Sequence, residues 1–117
     1  MAQINKPNTY FNPVIYTGNG STQAVTGVGF QPDWTWIKCR NDAQEPRLVD
    51  SVRGTTKYLD SSLAIAELTD TNILTSFDTD GFTLGDDAIS NLNGNTHVAW
   101  NWKAGGTAVS NTDGSIT

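Results

Sequence analysis

The chain has 117 residues, which suits one domain with a single core. Only 37% of it is apolar, and Gly, Asn, Thr, Ser and Asp fill much of the rest, so short strands joined by many turns are expected rather than helices. A net charge of −5 with seven scattered basic residues argues against a nucleic-acid partner, and no apolar run approaches the ~20 residues of a membrane span.

Residues 1–8 lack the basic start and apolar run of a secretory signal, so synthesis in a cytoplasm is expected. Residues 1–13 read as a polar arm closing on Tyr10-Phe11-Asn12-Pro13, because Pro7 and Pro13 discourage regular structure. Tyr10 and Phe11 either plug the edge of the domain's own core or dock on a neighbouring subunit. Residues 14–17 read as the first strand. Gly18-Asn19-Gly20-Ser21 is a strong turn signal, so residues 23–26 are expected to pair back as a hairpin. The connection 27–33 follows, with Phe30 buried beneath its corner.

Residues 34–40 form a strand carrying Trp34 and Trp36 on one face and Thr35, Ile37 and Cys39 on the other. Both faces look buried, which marks a central or covered strand. Cys39 has no second cysteine to pair with and reads as a small buried hydrophobe. After a polar loop the chain returns as a strand over 47–54, with Tyr58-Leu59 extending it or forming a short strand. Residues 60–72 read as an irregular loop with at most one short helix. A second hairpin joins 73–77 to 82–85 through Asp78-Thr79-Asp80-Gly81, centred on its Asp-Gly step.

Beyond the loop 86–95, residues 96–103 form the last long strand. His97, Ala99 and Asn101 alternate there with Val98, Trp100 and Trp102. The first triplet is only weakly apolar, so the Trp100 and Trp102 face is expected to point into the core. Residues 105–117 are polar and read as a linker. Seven or so short strands without alternating helices predict an all-β antiparallel sandwich or barrel.

Little in the chain suggests catalysis. The single histidine, His97, has no nucleophile or orienting carboxylate near it in sequence and reads as structural or surface. The Asp78/Asp80 and Asp86/Asp87 pairs offer oxygen for calcium, but the remaining ligands of a calcium loop are missing, and Asp-x-Asp-Gly is also a plain turn. No spacing singles out two carboxylates for glycoside hydrolysis. The four Trp, three Tyr and four Phe leave a sugar-stacking platform as a lesser reading beside core packing.

Several strings carry a family likeness: Tyr16-Thr17-Gly18-Asn19-Gly20-Ser21-Thr22-Gln23, Thr26-Gly27-Val28-Gly29-Phe30-Gln31-Pro32-Asp33, and Trp36-Ile37-Lys38. Asp50-Ser51-Val52-Arg53-Gly54, Thr75-Ser76-Phe77-Asp78-Thr79-Asp80-Gly81-Phe82 and Ala99-Trp100-Asn101-Trp102-Lys103-Ala104-Gly105-Gly106 extend it over nearly all of residues 10–117. Together they resemble an uncharacterised module of bacteriophage virion proteins, found especially in tail-fibre-like appendages of aquatic phages, cyanophages included. The resemblance implies a jelly-roll-like sandwich similar to concanavalin A-type lectin folds, used as a virion building block. It transfers no catalytic residue and no cofactor.

The expected role is therefore a non-enzymatic virion structural protein, most specifically the N-terminal attachment domain of a tail fibre. Residues 1–13 would dock, 14–104 would form the sandwich, and 105–117 would lead to a further domain. Tyr10, Phe11, Trp34 and Trp36 are the candidate assembly contacts. The expected partners are other phage virion proteins of the tail, baseplate or capsid, and the expected state is a homotrimer. A glycan-binding, lectin-like host-recognition module and a capsid-decorating protein are the alternatives, with polysaccharide cleavage a remote third.

Overall fold

The computed structural model describes residues 7–104 and Ser110. Among them, nine strands and one short helix form an all-β fold: β1 (Phe11–Thr17), β2 (Gln23–Val25), β3 (Trp34–Cys39), β4 (Arg47–Asp50), β5 (Lys57–Tyr58), β6 (Leu68–Thr69), β7 (Leu74–Asp78), β8 (Gly81–Leu84), α1 (Ala88–Asn91) and β9 (Thr96–Trp102). A four-stranded antiparallel sheet runs β1-β9-β3-β4, a three-stranded one runs β2-β8-β7, and β5 pairs with β6. The core lies between the two larger sheets. Ile37, Val49, Ala99 and Tyr16 come from one side, and Val25, Leu74, Phe82 and Leu84 from the other, with Val28, Phe30 and Ile73 closing it from loops.

Although the Trp34 and Trp36 face of β3 is half-buried rather than buried, the two tryptophan strands, with β3 central between β9 and β4, the buried Phe30 and Cys39, and the 74–84 hairpin stand as expected. The face assignment of β9 does not. Its buried residues are His97, Ala99 and Asn101, while Val98, Trp100 and Trp102 lie outside. The polar inner groups are tolerated because most have partners. Thr35 Oγ1 donates to Asn101 Oδ1 at 2.8 Å, and Asn101 Nδ2 donates to the Asn12 carbonyl at 3.1 Å. The His97 ring stacks on Tyr16 with centroids 5.1 Å apart, and Tyr16 Oη donates to the Ser90 carbonyl at 2.6 Å. A buried polar group that is hydrogen-bonded forfeits little, so this face needs no bulky apolar side chains from β9.

Residues 18–22 do not close a hairpin. They carry the chain from one sheet to the other, so β1 pairs with β9 and β2 with β8. Gly18 is needed for close approach to the α1–β9 loop, and Gly20 for its left-handed φ of 69°. The Gly20 N–H donates to the Asn91 carbonyl at 2.8 Å, and a Cβ on Gly18 would collide with the Leu92 carbonyl oxygen. Asn91 ties the crossing down, donating to the carbonyls of Ser21 at 2.6 Å and Gly85 at 2.8 Å. Helix α1, which lacks a periodic signal at this length, is started by Asp87, whose carboxylate accepts from Ser90 N at 3.0 Å.

Strand β1 begins at Phe11, three residues earlier than expected, so part of the anticipated arm is sheet. Residues 1–6 of that arm lie outside the described residues, as does the expected linker 105–117 apart from Ser110. The 47–54 strand is shorter than expected, since residues 51–53 turn away after Asp50. Residues 60–67 are irregular, and β6 follows them.

In the 74–84 hairpin the loop is Thr79-Asp80, with Asp78 and Gly81 paired across its base. Gly81 serves there through its missing side chain, because a Cβ would strike the Val25 carbonyl oxygen across the sheet. Gly81→Ala is therefore expected to lose about 3 kcal/mol by forcing β2 and β8 apart. Urea unfolding measures this, and a loss under about 1 kcal/mol would show that the backbone absorbs the methyl group.

Burial pushes the His97 imidazole below its ordinary value of 6.5, against opposing pulls from the Ile89 and Asn95 carbonyls and the Asp87 carboxylate. The unfolded chain then takes up a proton near that ordinary value while the folded chain resists it. Stability is full above about pH 7 and falls as pH drops through 6.5 towards the lower folded value, at up to about 1.4 kcal/mol per pH unit. As this is the only histidine, His97→Phe is expected to flatten the stability curve between about pH 5 and 7. An unchanged slope would assign the titration elsewhere.

Candidate functional site

Alternation along the strands places a set of large side chains on the outer face of the four-stranded sheet. Residues directly opposed in antiparallel strands share a face, so the registers define rows across it. One row reads Phe11, Trp102, Trp34, Asp50. The next reads Pro13, Trp100, Trp36, Leu48, and a bridge from Leu48 to Leu59 with reciprocal 3.0 Å hydrogen bonds extends it by one. A third reads Ile15, Val98, Lys38.

The rings in these rows touch one another. Trp34 and Trp102 stack with centroids 4.4 Å apart and planes 22° from parallel. Phe11 lies 4.9 Å from Trp102, and Trp36 meets Trp100 edge-on at 5.6 Å. Neighbouring strands are about 4.8 Å apart, so rings stacked at that spacing stand upright on the sheet with their faces turned to each other. The indole N–H of Trp36 is buried and has no partner among the described residues. All four tryptophans are half-buried, while Ile15 is 63% exposed and Phe11 37%. The face is thus a dense aromatic plateau that, among the described residues, stays partly open to solvent.

Its charged margins are satisfied locally. Asp50 accepts from both the backbone and the guanidinium of Arg53, and Lys38 Nζ donates to the Gln44 carbonyl. The adjacent sheet edge is also blunted. Lys103 N–H donates to the Tyr10 carbonyl and Gly18 N–H to the Asn95 carbonyl, which with the register turns the backbone groups of residues 12, 14 and 16 towards β9. Residues 11, 13, 15 and 17 then point their backbone groups off the edge, and one of these is Pro13, which has no N–H. Strand addition along β1 is therefore interrupted in the middle.

Of the expected contact residues, Phe11, Trp34 and Trp36 come together on this face. Tyr10 precedes it, exposed, and donates its backbone N–H to the Pro7 carbonyl. Neither Tyr10 nor Phe11 belongs to the core cluster. Sequence reasoning missed Trp100, Trp102, Leu48 and Ile15, which the same period-2 alternation contains once the inner face is identified.

The carboxylates weighed for calcium or catalysis serve the fold. Asp80 accepts from the N–H groups of Gly27 and Gly29, at 3.1 and 2.7 Å. Asp78 accepts from Ser76 and Thr83, and Asp87 caps α1. Among the described residues no group of three or more His, Cys, Asp or Glu is placed to hold a metal ion, and no helix is long and apolar enough to cross a membrane.

A family model described as a domain of unknown function, DUF7483, matches residues 6–117. The chain belongs to the DUF7483 family. Neither a curated protein nor a solved structure matches it significantly. For this DUF7483 domain the outer aromatic face is consequently the feature on which a functional reading rests.

Proposed function

We propose that this DUF7483 domain is a non-enzymatic structural module that docks to other proteins through its tryptophan face, as the attachment domain of a phage tail fibre. The observation that carries the docking role is the continuous apolar surface of Phe11, Trp102, Trp34, Pro13, Trp100, Trp36 and Leu48 on one sheet face. Aromatic clusters of this kind dominate the energy of protein interfaces, because large rigid rings bury much area at little entropic loss. The virion context rests on the sequence resemblance to phage appendage modules. A capsid-decorating protein is a variant of the same reading.

Sugar recognition by stacking is the competing use of such a surface. It needs a ring face open to solvent, and Trp102 is flanked on both sides, by Trp34 at 4.4 Å and Phe11 at 4.9 Å, while Trp34 turns one face to Trp102. The stacked Trp34–Trp102 pair and the edge-on Trp36–Trp100 pair make an uneven apolar surface, which suits interdigitation with another protein's side chains.

The test is mass spectrometry of purified particles of the phage that encodes the chain, followed by a reconstruction locating it, with a glycan array run on the isolated chain. The expected result is incorporation in the particle with the tryptophan face covered, and no glycan bound. Absence from particles would overturn the virion role, and glycan binding lost in Trp34→Ala without unfolding would favour the lectin reading.

A further inference from the structure

The four-stranded sheet does not stop at β4. Leu48 and Leu59 exchange reciprocal hydrogen bonds of 3.0 Å, and β5 pairs in turn with β6, so the order runs on as β1-β9-β3-β4-β5-β6. Backbone groups along an antiparallel strand point alternately to its two neighbours. Because Leu59 turns its groups to β4, Tyr58 turns its own to Leu68. The 2.9 Å bond from the Asp70 N–H to the Thr56 carbonyl lies in the same register. Glu67 and Thr69 therefore aim their N–H and carbonyl groups off the free side of β6.

The segment leading into β6 is equally unspent. Residues 61–69 are exposed throughout, and among the described residues no backbone–backbone hydrogen bond outside the β5–β6 pairing reaches them. None is Pro or Gly and none has a positive φ, so each keeps its N–H and fits an extended strand. Leu63, Ala64, Ile65, Ala66 and Leu68 make the segment apolar, and the Glu67 carboxylate is drawn back to Arg53 at 3.3 Å. Other edges are protected. On β1, Pro13 lacks an N–H and the Thr17 carbonyl accepts from Gln23 Nε2 at 3.0 Å. On β7, the Phe77 carbonyl accepts from Gln31 Nε2 at 3.0 Å.

We infer that the edge 63–69 joins two copies of the chain, strand to antiparallel strand about a two-fold axis, into one continuous sheet. The sequence of this edge is complementary to itself. A register centred on Ala66 sets Ile65 against Glu67, Leu63 against Thr69, Ala64 against Leu68 and Ala66 against its own copy. The odd-numbered residues, whose backbone groups face outwards at Glu67 and Thr69, then supply the hydrogen-bonded pairs. Small Ala64 meets large Leu68, and the two Glu67 carboxylates never oppose each other. Each copy offers one such edge and the blunted β1 stops further growth, so the assembly closes as a dimer. Directly opposed residues share a face, so the two tryptophan faces lie on the same side of the joined sheet and stay available for docking. The edge contact does not depend on what those faces bind.

Sedimentation of the full chain, joined to cysteine cross-linking, tests this. The wild type is expected to sediment as a dimer. Ile65→Pro removes an N–H from the edge at an exposed position outside the core cluster, and is expected to weaken the dimer at least about 30-fold. Ile65→Thr keeps the N–H and is expected to remain dimeric. Ala66→Cys sets two thiols across the axis in a non-hydrogen-bonded pair, where Cα atoms about 4.5 Å apart suit a disulfide, so it is expected to cross-link on air oxidation. Ala64→Cys faces Leu68 and is expected not to, while the native Cys39 is buried. Circular dichroism with urea unfolding checks that each variant folds. A monomeric or trimeric wild type, a dimer indifferent to Ile65→Pro, or equal cross-linking at positions 64 and 66 would overturn the inference. Trp34→Glu is expected to leave the dimer intact while losing incorporation into particles. A dimer lost in Trp34→Glu but kept in Ile65→Pro would put the contact on the aromatic face instead.

Discussion

Trp34→Glu is expected to separate folding from assembly in this domain. Trp34 is on the outer face, so its removal opens no cavity between the sheets; it forfeits the stack on Trp102 and part of its half-buried area. The pair contributes roughly 1 kcal/mol beyond area, and the area lost adds about 1–2 kcal/mol. A domain with roughly 5–15 kcal/mol in hand still folds. Assembly suffers far more, since a central aromatic anchor in an interface is worth about 2–4 kcal/mol and a carboxylate in its place must be desolvated. The neighbouring substitution Thr35→Val is the matched control. It points inwards, takes the hydroxyl donor from Asn101 Oδ1, and is expected to destabilise by about 1–3 kcal/mol while leaving assembly of the folded fraction unchanged. Two adjacent residues are thus expected to fail in different ways. Particle incorporation and urea unfolding, measured on both, read the difference, and loss of fold in Trp34→Glu would place that ring in the core after all.

The second large effect is expected at Arg47. Its guanidinium is buried, lies 3.4 Å from Asp60 Oδ2 and sits over the Tyr58 ring at 4.6 Å from the centroid. Burial raises the Asp60 carboxyl, but hydrogen bonds from the Ser62 hydroxyl and backbone, and then the Arg47 charge, outweigh it and hold the group below its ordinary value. Arg47→Met leaves that carboxylate buried without its cation and is expected to lose about 3–5 kcal/mol. Adding Asp60→Leu removes the stranded charge, so the double variant is expected to regain most of the loss. A double variant no more stable than Arg47→Met would mean that packing on Tyr58, not charge, carries the arginine's contribution. The sign with pH follows: a depressed carboxyl gives stability that is present above its ordinary value of 3.8 and is lost as pH falls below it. This window is separate from that of His97.

The alternation of Trp34-Thr35-Trp36-Ile37 and of His97 through Trp102 was legible as strand, and Trp-x-Trp as one loaded face. Which face is inner was not. The more apolar side is normally the core side, and that rule misleads when the outer side is itself a contact surface and inner polar groups such as Asn101 and Thr35 bond to one another. Large inward residues come instead from the facing sheet and loops, among them Phe82, Leu84 and Phe30, which share one core cluster with Ala99. The glycines at 18 and 20 announced a turn correctly, but turn chemistry does not name the partner strand. Contact with Asn91 and Leu92, more than seventy residues away, decides that. The aromatic face was therefore half visible from the sequence. Phe11, Trp34 and Trp36 stand out by size and spacing, while the apolarity of their face points Trp100 and Trp102 inwards.

Hydroxyl-radical footprinting of the four tryptophans, read by mass spectrometry on the dilute chain and on the chain within the assembled particle, tests the docking face most directly. The account predicts that Trp34, Trp36, Trp100 and Trp102 react in the dilute chain and are protected together on assembly, with Ile15 following them. Equal reactivity of all four in both states would contradict it.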